Sequence, residues 1–185
     1  ALNRIGDSRY YQQDIAGALA SSLEAEKRLI AAGATDGEAM AGTLANIATF
    51  YTGVGQPEKN VPLQERSLKI RTALYGQDPE GIAPPDAKAL GLGYLNYAAA
   101  LYEANRFGDA AEYVEPAIKG LIRGGMTDTT LFVALSTGAN IYIDAGRQVD
   151  ALRLARQGIA MANELLPEEH PFHGFAQGTL AKVLL

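Results

Sequence analysis

Residues 43–76 read TLANIATFYTGVGQPEKNVPLQERSLKIRTALYG. Gly55-Gln56-Pro57 is turn chemistry, and the stretches on either side of it have helical patterning, so the segment reads as helix, turn, helix. Three more helix pairs and a terminal single helix can be laid over it. With the residue between paired helices as marker (Gln13, Gly55, Asn105, Gly146), the steps are 42, 50 and 41 residues. A period of this size signals a helical repeat array.

Seven residues before each marker stand Gly6, Ala48, Ala98 and Ala139, and a further 42-residue step puts Ala181 at the same place in a fifth copy. Five residues after the markers stand Ala18, Asn60, Ala110 and Ala151. Twelve after them stand Ala25, Ser67, Ala117 and Gly158. Small side chains recur where two helices approach too closely for larger ones, because interiors are packed solid. Asn60 departs from the small set, Gly138 replaces an apolar residue, and the first copy lacks a turn glycine.

Small residues at these three places, with a turn glycine between the helices, resemble the tetratricopeptide repeat (TPR). The 42-residue period resembles its longer variety, found in kinesin light chain and many bacterial proteins. TLANIATFY, GQPEKNVPLQERSLKI and LLPEEHP carry the likeness. It spans essentially the whole chain. HEAT and armadillo arrays share the period but not this placement of small residues. The resemblance implies an all-α, right-handed superhelical solenoid of antiparallel helix pairs, about nine helices in one domain over 1–185. Its repeats fall at 2–33, 38–76, 87–124 and 129–166, with a terminal helix at 172–185.

Composition agrees. Alternating β-branched runs are nearly absent, so strands are not expected. There is no cysteine, which excludes disulfides and cysteine-ligated metal and favours a cytoplasmic origin. No apolar run approaches the roughly 18 residues of a membrane span. A net charge of −5 argues against a nucleic-acid partner, which would favour a basic face. The chain starts at Ala1 without methionine and stops inside a helical stretch, as a fragment of a larger protein would.

In chain order, the first helix covers 2–12, with Leu2, Ile5 and Arg9 on one face. Its partner covers 14–32, with a stripe of Leu19, Leu23 and Ile30 and a stop at Gly33. Asp36 and Asp86 are candidate caps for the second and third pairs, and Pro62 falls in the first turns of its helix. Residues 76–85 insert about eight residues between repeats. Such an insertion is either a tolerated loop, since doubling a loop costs only ~0.6 kcal/mol, or a partner-contacting one. Pro116 should kink its helix, and Gly120, Gly124 and Gly125 should end it early. Gly91-Leu92-Gly93 reads as a close-packing site. The fourth pair covers 129–145 and 148–165, the latter presenting Leu152, Ala155, Ile159 and Ala162.

Catalytic chemistry has little support. His170 and His173 stand beside Glu168 and Glu169, but Pro171 breaks the regular spacing and PEEHP matches a repeat loop, so no metal is expected. There is no G-x-S-x-G, phosphate-cradling loop or dinucleotide fingerprint. Neither enzymatic activity nor a cofactor is expected.

The resemblance instead implies binding in a concave groove lined by the first helix of each pair, where an asparagine at the sixth position touches a bound peptide. Asn46 and Asn96 match it; Arg4, Thr137 and Thr179 hold that place in the other copies. Neighbouring groove positions are Asn3, Asp7, Tyr10, Thr49, Thr52, Ala99, Tyr102, Ser136, Asn140 and Lys182. Asparagine supplies both a donor and an acceptor for a peptide group, and tyrosine large contact area with a polar tip. Asn46 and Asn96 can equally be structural residues bonded to neighbouring loops. The expected role is a scaffold for a protein or peptide partner; the alternative is a regulatory sensor module controlling an attached catalytic or DNA-binding domain. Leu180, Val183, Leu184 and Leu185 give the terminal helix an apolar surface through which the chain is expected to self-associate.

Overall fold

The computed structural model describes residues 8–10, 12–167 and 169–184. Among these, residues 8–10 are helical, and eight longer helices follow. They are α1 (Ile15–Ala31), α2 (Glu38–Gly53), α3 (Asn60–Tyr75), α4 (Pro84–Glu103), α5 (Phe107–Arg123), α6 (Thr129–Asp144), α7 (Gln148–Leu165) and α8 (Pro171–Leu184). No strand occurs among the described residues. The chain forms two compact units, Ala1–Gln77 with α1–α3 and Asp78–Leu185 with α4–α8.

The four marker residues share one backbone state. Gln13, Gly55, Asn105 and Gly146 have φ of 63°, 79°, 58° and 73°. Each lies in the left-handed region, which only glycine enters without cost and which asparagine tolerates. The hydrogen bonds repeat as well: the N–H of Gln56 donates to Tyr51 O, of Arg106 to Leu101 O, and of Arg147 to Tyr142 O, at 2.7–2.9 Å. This is the Schellman closure of a helix C-terminus, and it turns the chain back antiparallel. Gly55→Ala should therefore cost roughly 1 kcal/mol, and Gln13→Gly should gain about 0.5 kcal/mol as the left-handed penalty is relieved. Urea denaturation of the two variants checks the opposite signs.

The small-residue positions are buried where described, Ala181 excepted. Ala48, Ala98 and Ala139 are in the core, as are all four residues five places past the markers and all four twelve places past. Gly6 lies outside the described residues. Ala181 is exposed, a departure from the expected contact, because α8 packs on α7 and α6 through Ala176, Thr179 and Val183 instead. On the same helix Leu180 is half-buried and Leu184 is 68% exposed.

In the first unit, α1 buries Ala18, Ser21, Ser22 and Ala25, not the expected apolar stripe; Ile30 is 51% exposed. Small residues let α1 lie close to α2, leaving its larger side chains at the margin. Of the first helix, Leu2 and Ile5 lie outside the described residues, and Arg9 is exposed, donating from Nη1 to Gly17 O. The α2–α3 contact is a polar seam. Asn60, Gln64, Ser67 and Arg71 follow one another at helical spacing on α3 and are all buried. Asn60 Nδ2 donates to Thr52 Oγ1 (3.1 Å), Gln64 Nε2 to Ala45 O (3.3 Å) and Ser67 Oγ to Ala41 O (2.7 Å). Arg71 donates from Nε to both Glu38 oxygens (3.1 Å), from Nη2 to Glu38 Oε1 (2.7 Å) and from Nη1 to Ser67 Oγ (3.2 Å). Asn60 thus interrupts the small residues because its amide has a partner on α2.

In the second unit, α4 and α5 meet backbone to backbone. A Cβ added at Gly91 would lie 2.7 Å from Leu121 N and 2.8 Å from Gly120 C, and one at Gly120 would lie 2.6 Å from Gly91 Cα. Gly91 is therefore a close-packing site, as expected. The expected early end of α5 is not found. The helix runs through Pro116 to Arg123, because Gly120 and Gly124 serve the approach to α4 rather than a stop. Gly138 is glycine because Val114 and Leu154 fill the space a side chain would need.

Two caps also differ from expectation. Gly37 precedes α2 where Asp36 was expected, and makes no side-chain bond. Before α4 the cap is Ala83, since Pro84 begins the helix and places Asp86 in its first turn. The insertion after Gly76 holds a 3₁₀ turn at Pro79–Gly81 and is fastened to α5: Lys119 Nζ bonds Glu80 Oε2 (2.8 Å) and Arg123 Nε donates to Ile82 O (3.2 Å).

Candidate functional site

The residues singled out from the sequence divide into those the fold uses internally and those it leaves on an open groove. Asn3 and Asp7 lie outside the described residues. Tyr10 packs its ring against Phe50, centroids 5.4 Å apart. Thr49 is exposed and donates back to Ala45 O, while Thr52 accepts from Asn60. Asn46 and Asn96 are half-buried on α2 and α4, and Ala99 is half-buried beside the latter.

Tyr102 has a structural task. Its Oη donates to Asp144 Oδ2 at 2.6 Å, joining the end of α4 to the end of α6. That hydrogen bond to a carboxylate, together with burial, pushes the phenol up to about 12 from 10.0. The folded-state value is the higher one. The contact's contribution is therefore complete below pH 10 and lost as pH rises through about 12. Tyr102→Phe should delete the phenol ionising near pH 12 from an ultraviolet tyrosinate titration. Loss of a phenol that ionises near 10.0 instead would contradict the pairing.

Ser136 and Asn140 do come together with residues of another helix. With Thr137 they line one wall of a groove of about 720 Å³ between α6 and α8, and Thr179 and Lys182 stand on the other. Helical spacing explains the walls: Phe132, Ser136 and Asn140 are four apart on α6, as Phe175 and Thr179 are on α8. The floor is aromatic. Phe132 and Phe172 stack with centroids 4.3 Å apart and planes 4° from parallel, and Phe175 meets Phe172 edge-on at 6.3 Å. Phe175 is 65% exposed. The asparagine pattern missed these rings; an exposed aromatic in register with Thr179 was the signal available. Thr179 Oγ1 donates to Phe175 O, and among the described residues Lys182 is the one charged residue on the groove.

His170 does other work. Its Nδ1 accepts from Phe172 N at 3.3 Å, at the start of α8. No group of three metal-ligating side chains is present among the described residues. No described helix is long and apolar enough to cross a membrane.

Residues 40–80 and 133–172 match the tetratricopeptide repeat family. Over those residues the chain carries tetratricopeptide repeats, and its fold is that of the kinesin-light-chain-like repeats. Its fold is similar to a kinesin-light-chain-type protein of Podosopora anserina with nearly identical TPR-like repeats: TM-score 0.79 at 16% identity, covering 98% of this chain and 82% of that one. BtubC (BKLC) from P. vanneervenii is similar at TM-score 0.70 and 18% identity, over 99% and 74% of the respective chains. MamA follows at 0.53 and 16%, over 97% and 92%. No curated protein matches the sequence.

Proposed function

We propose that this chain is a protein-interaction scaffold that seats a peptide segment of a partner in the groove between α6 and α8. The observation that carries the reading is the groove's make-up. An aromatic floor offers apolar area for one or two large side chains, while the hydroxyls of Ser136 and Thr137 and the amide of Asn140 on the α6 wall, with the ammonium of Lys182 opposite, offer donors and acceptors to peptide groups. Among the described residues the lining holds no carboxylate to pair with Lys182 and so no acid–base couple, which supports binding over catalysis.

Selection of a random peptide display library against the chain, followed by affinity measurement of the selected sequences, tests the proposal. Gly178 is exposed on the groove, and a Cβ there would meet nothing within 4 Å. Gly178→Tyr therefore fills the groove without disturbing the helix packing. Selected peptides should lose at least tenfold in affinity to this variant and to Phe175→Ala. Retention of full affinity by both variants would overturn the assignment.

A further inference from the structure

The face of α8 that bears Ala181 is built like faces that every earlier pair buries. Ala48 on α2, Ala98 on α4 and Ala139 on α6 hold the same repeat position and are at most 1% exposed, whereas Ala181 is exposed. Seven places earlier, Ala41, Gly91 and Phe132 are buried and Gly174 is exposed; four places earlier, Leu44, Tyr94 and Leu135 are buried and Gln177 is exposed. Three places later Leu101 and Tyr142 are buried, and Leu184 is 68% exposed. These four residues of α8 fall at helical spacing on one stripe.

What covers the stripe elsewhere is an antiparallel helix. On α2 it is α3, whose Ser67 donates to Ala41 O; on α4 it is α5, whose Gly120 meets Gly91 backbone to backbone; on α6 it is α7, whose Ala162 packs in one cluster with Phe132. Gly174 holds the place of Gly91, and a Cβ there would meet nothing within 4 Å. Among the described residues, then, α8 presents a helix-docking face, shaped for close approach, with no helix on it. The face borders the α6–α8 groove along Gly174 and Gly178 but lies round the helix from Phe175 and Lys182.

We infer that the face takes the same face of a second copy of this chain, α8 lying antiparallel on α8 across a two-fold axis. The stripe is self-complementary in sequence. With the axis between Gln177 and Gly178, Gly174 of one copy lies opposite Ala181 of the other, Pro171 opposite Leu184, and Gln177 opposite Gly178. Small residue meets small, so the two backbones can come as close as those of α4 and α5 do. The one long polar side chain meets a glycine, and none of the residues paired in this way is charged. The two Lys182 residues stand about 13 Å apart along the helices, beyond the screening length at physiological salt. Of the residues expected on a self-associating surface, Val183 is buried within the chain and Leu184 takes part. A pair of helices about 20 Å long is a small interface, so association in the range of about 10–100 μM is expected.

The chain contains no cysteine, so single cysteines placed on it report the register directly. Gln177→Cys lies next to the axis and should cross-link to itself under mild oxidation. Gly174→Cys and Ala181→Cys should each stay uncoupled alone, because like positions are about 10 Å apart along the helices, past the roughly 7 Å limit for a disulfide. Mixed, the two should cross-link to each other. Sedimentation equilibrium of the unaltered chain over about 1–300 μM should show the mass rising from one chain towards two and stopping there. Ala181→Arg, at an exposed position, should weaken that association at least tenfold. A chain that stays monomeric up to about 300 μM, growth beyond a dimer, or a dimer that Ala181→Arg leaves intact would overturn the inference. So would cross-linking of Gly174→Cys or Ala181→Cys to itself in preference to the mixed pair, which would mean that the helices run parallel.

Discussion

Gly91→Ala should lower the stability of the Asp78–Leu185 unit by about 2 kcal/mol. The added methyl would stand 2.7 Å from Leu121 N and 2.8 Å from Gly120 C, both backbone atoms that cannot move aside by a rotamer change. Overpacking of this kind costs up to about 3 kcal/mol. Replacing glycine in a helix interior returns up to about 1 kcal/mol, so the steric cost wins. Gly42 supplies the control, since it too lies inside a helix but an added Cβ meets nothing within 4 Å. Gly42→Ala should gain about 0.5–1 kcal/mol. Urea denaturation, with amide exchange on α4 and α5 to locate the loss, checks the pair; a neutral Gly91→Ala would show that α4 and α5 are not in backbone contact.

The second large effect falls on the polar seam of the first unit. Arg71→Ala removes every guanidinium bond to Glu38 and Ser67 from a side chain that is 7% exposed. Breaking a fully buried pair costs about 3–5 kcal/mol. The Glu38 side chain is 41% exposed, so water recovers part of its charge, and about 2–3 kcal/mol is expected. Arg71→Lys should restore less than half, because an ammonium cannot reproduce the two-pronged contact. A loss below about 0.5 kcal/mol for Arg71→Ala would mean that the seam contributes no net stability.

How much of this was legible beforehand follows from which residues carry the signal. The turn residues and the small positions report on backbone geometry, which tolerates few substitutes. Hence Gly55, Ala48 and Ala98 placed the helix pairs without knowledge of their neighbours. Helix caps were less legible: several residues can serve, and at α4 Pro84 fixed the start and left Asp86 inside the first turn. Gly120 was ambiguous because glycine both ends helices and allows close approach, and only the position of Gly91 opposite decides between the two. The groove was half legible. Ser136 and Asn140 follow from repeat position, but their partnership with Phe132, Phe172 and Phe175 depends on the spacing of α6 and α8 in space. Tyr102 carried a groove signature yet is engaged by Asp144, a residue 42 places away in sequence.

Amide chemical-shift mapping of the isotope-labelled chain against a selected peptide addresses the groove most directly. Binding between α6 and α8 predicts the largest shifts at Ser136, Thr137, Asn140, Thr179 and Lys182, with broadening of the Phe175 ring signals. Shifts confined to Asn46 and Thr49 on α2, with α6 and α8 unmoved, would contradict it.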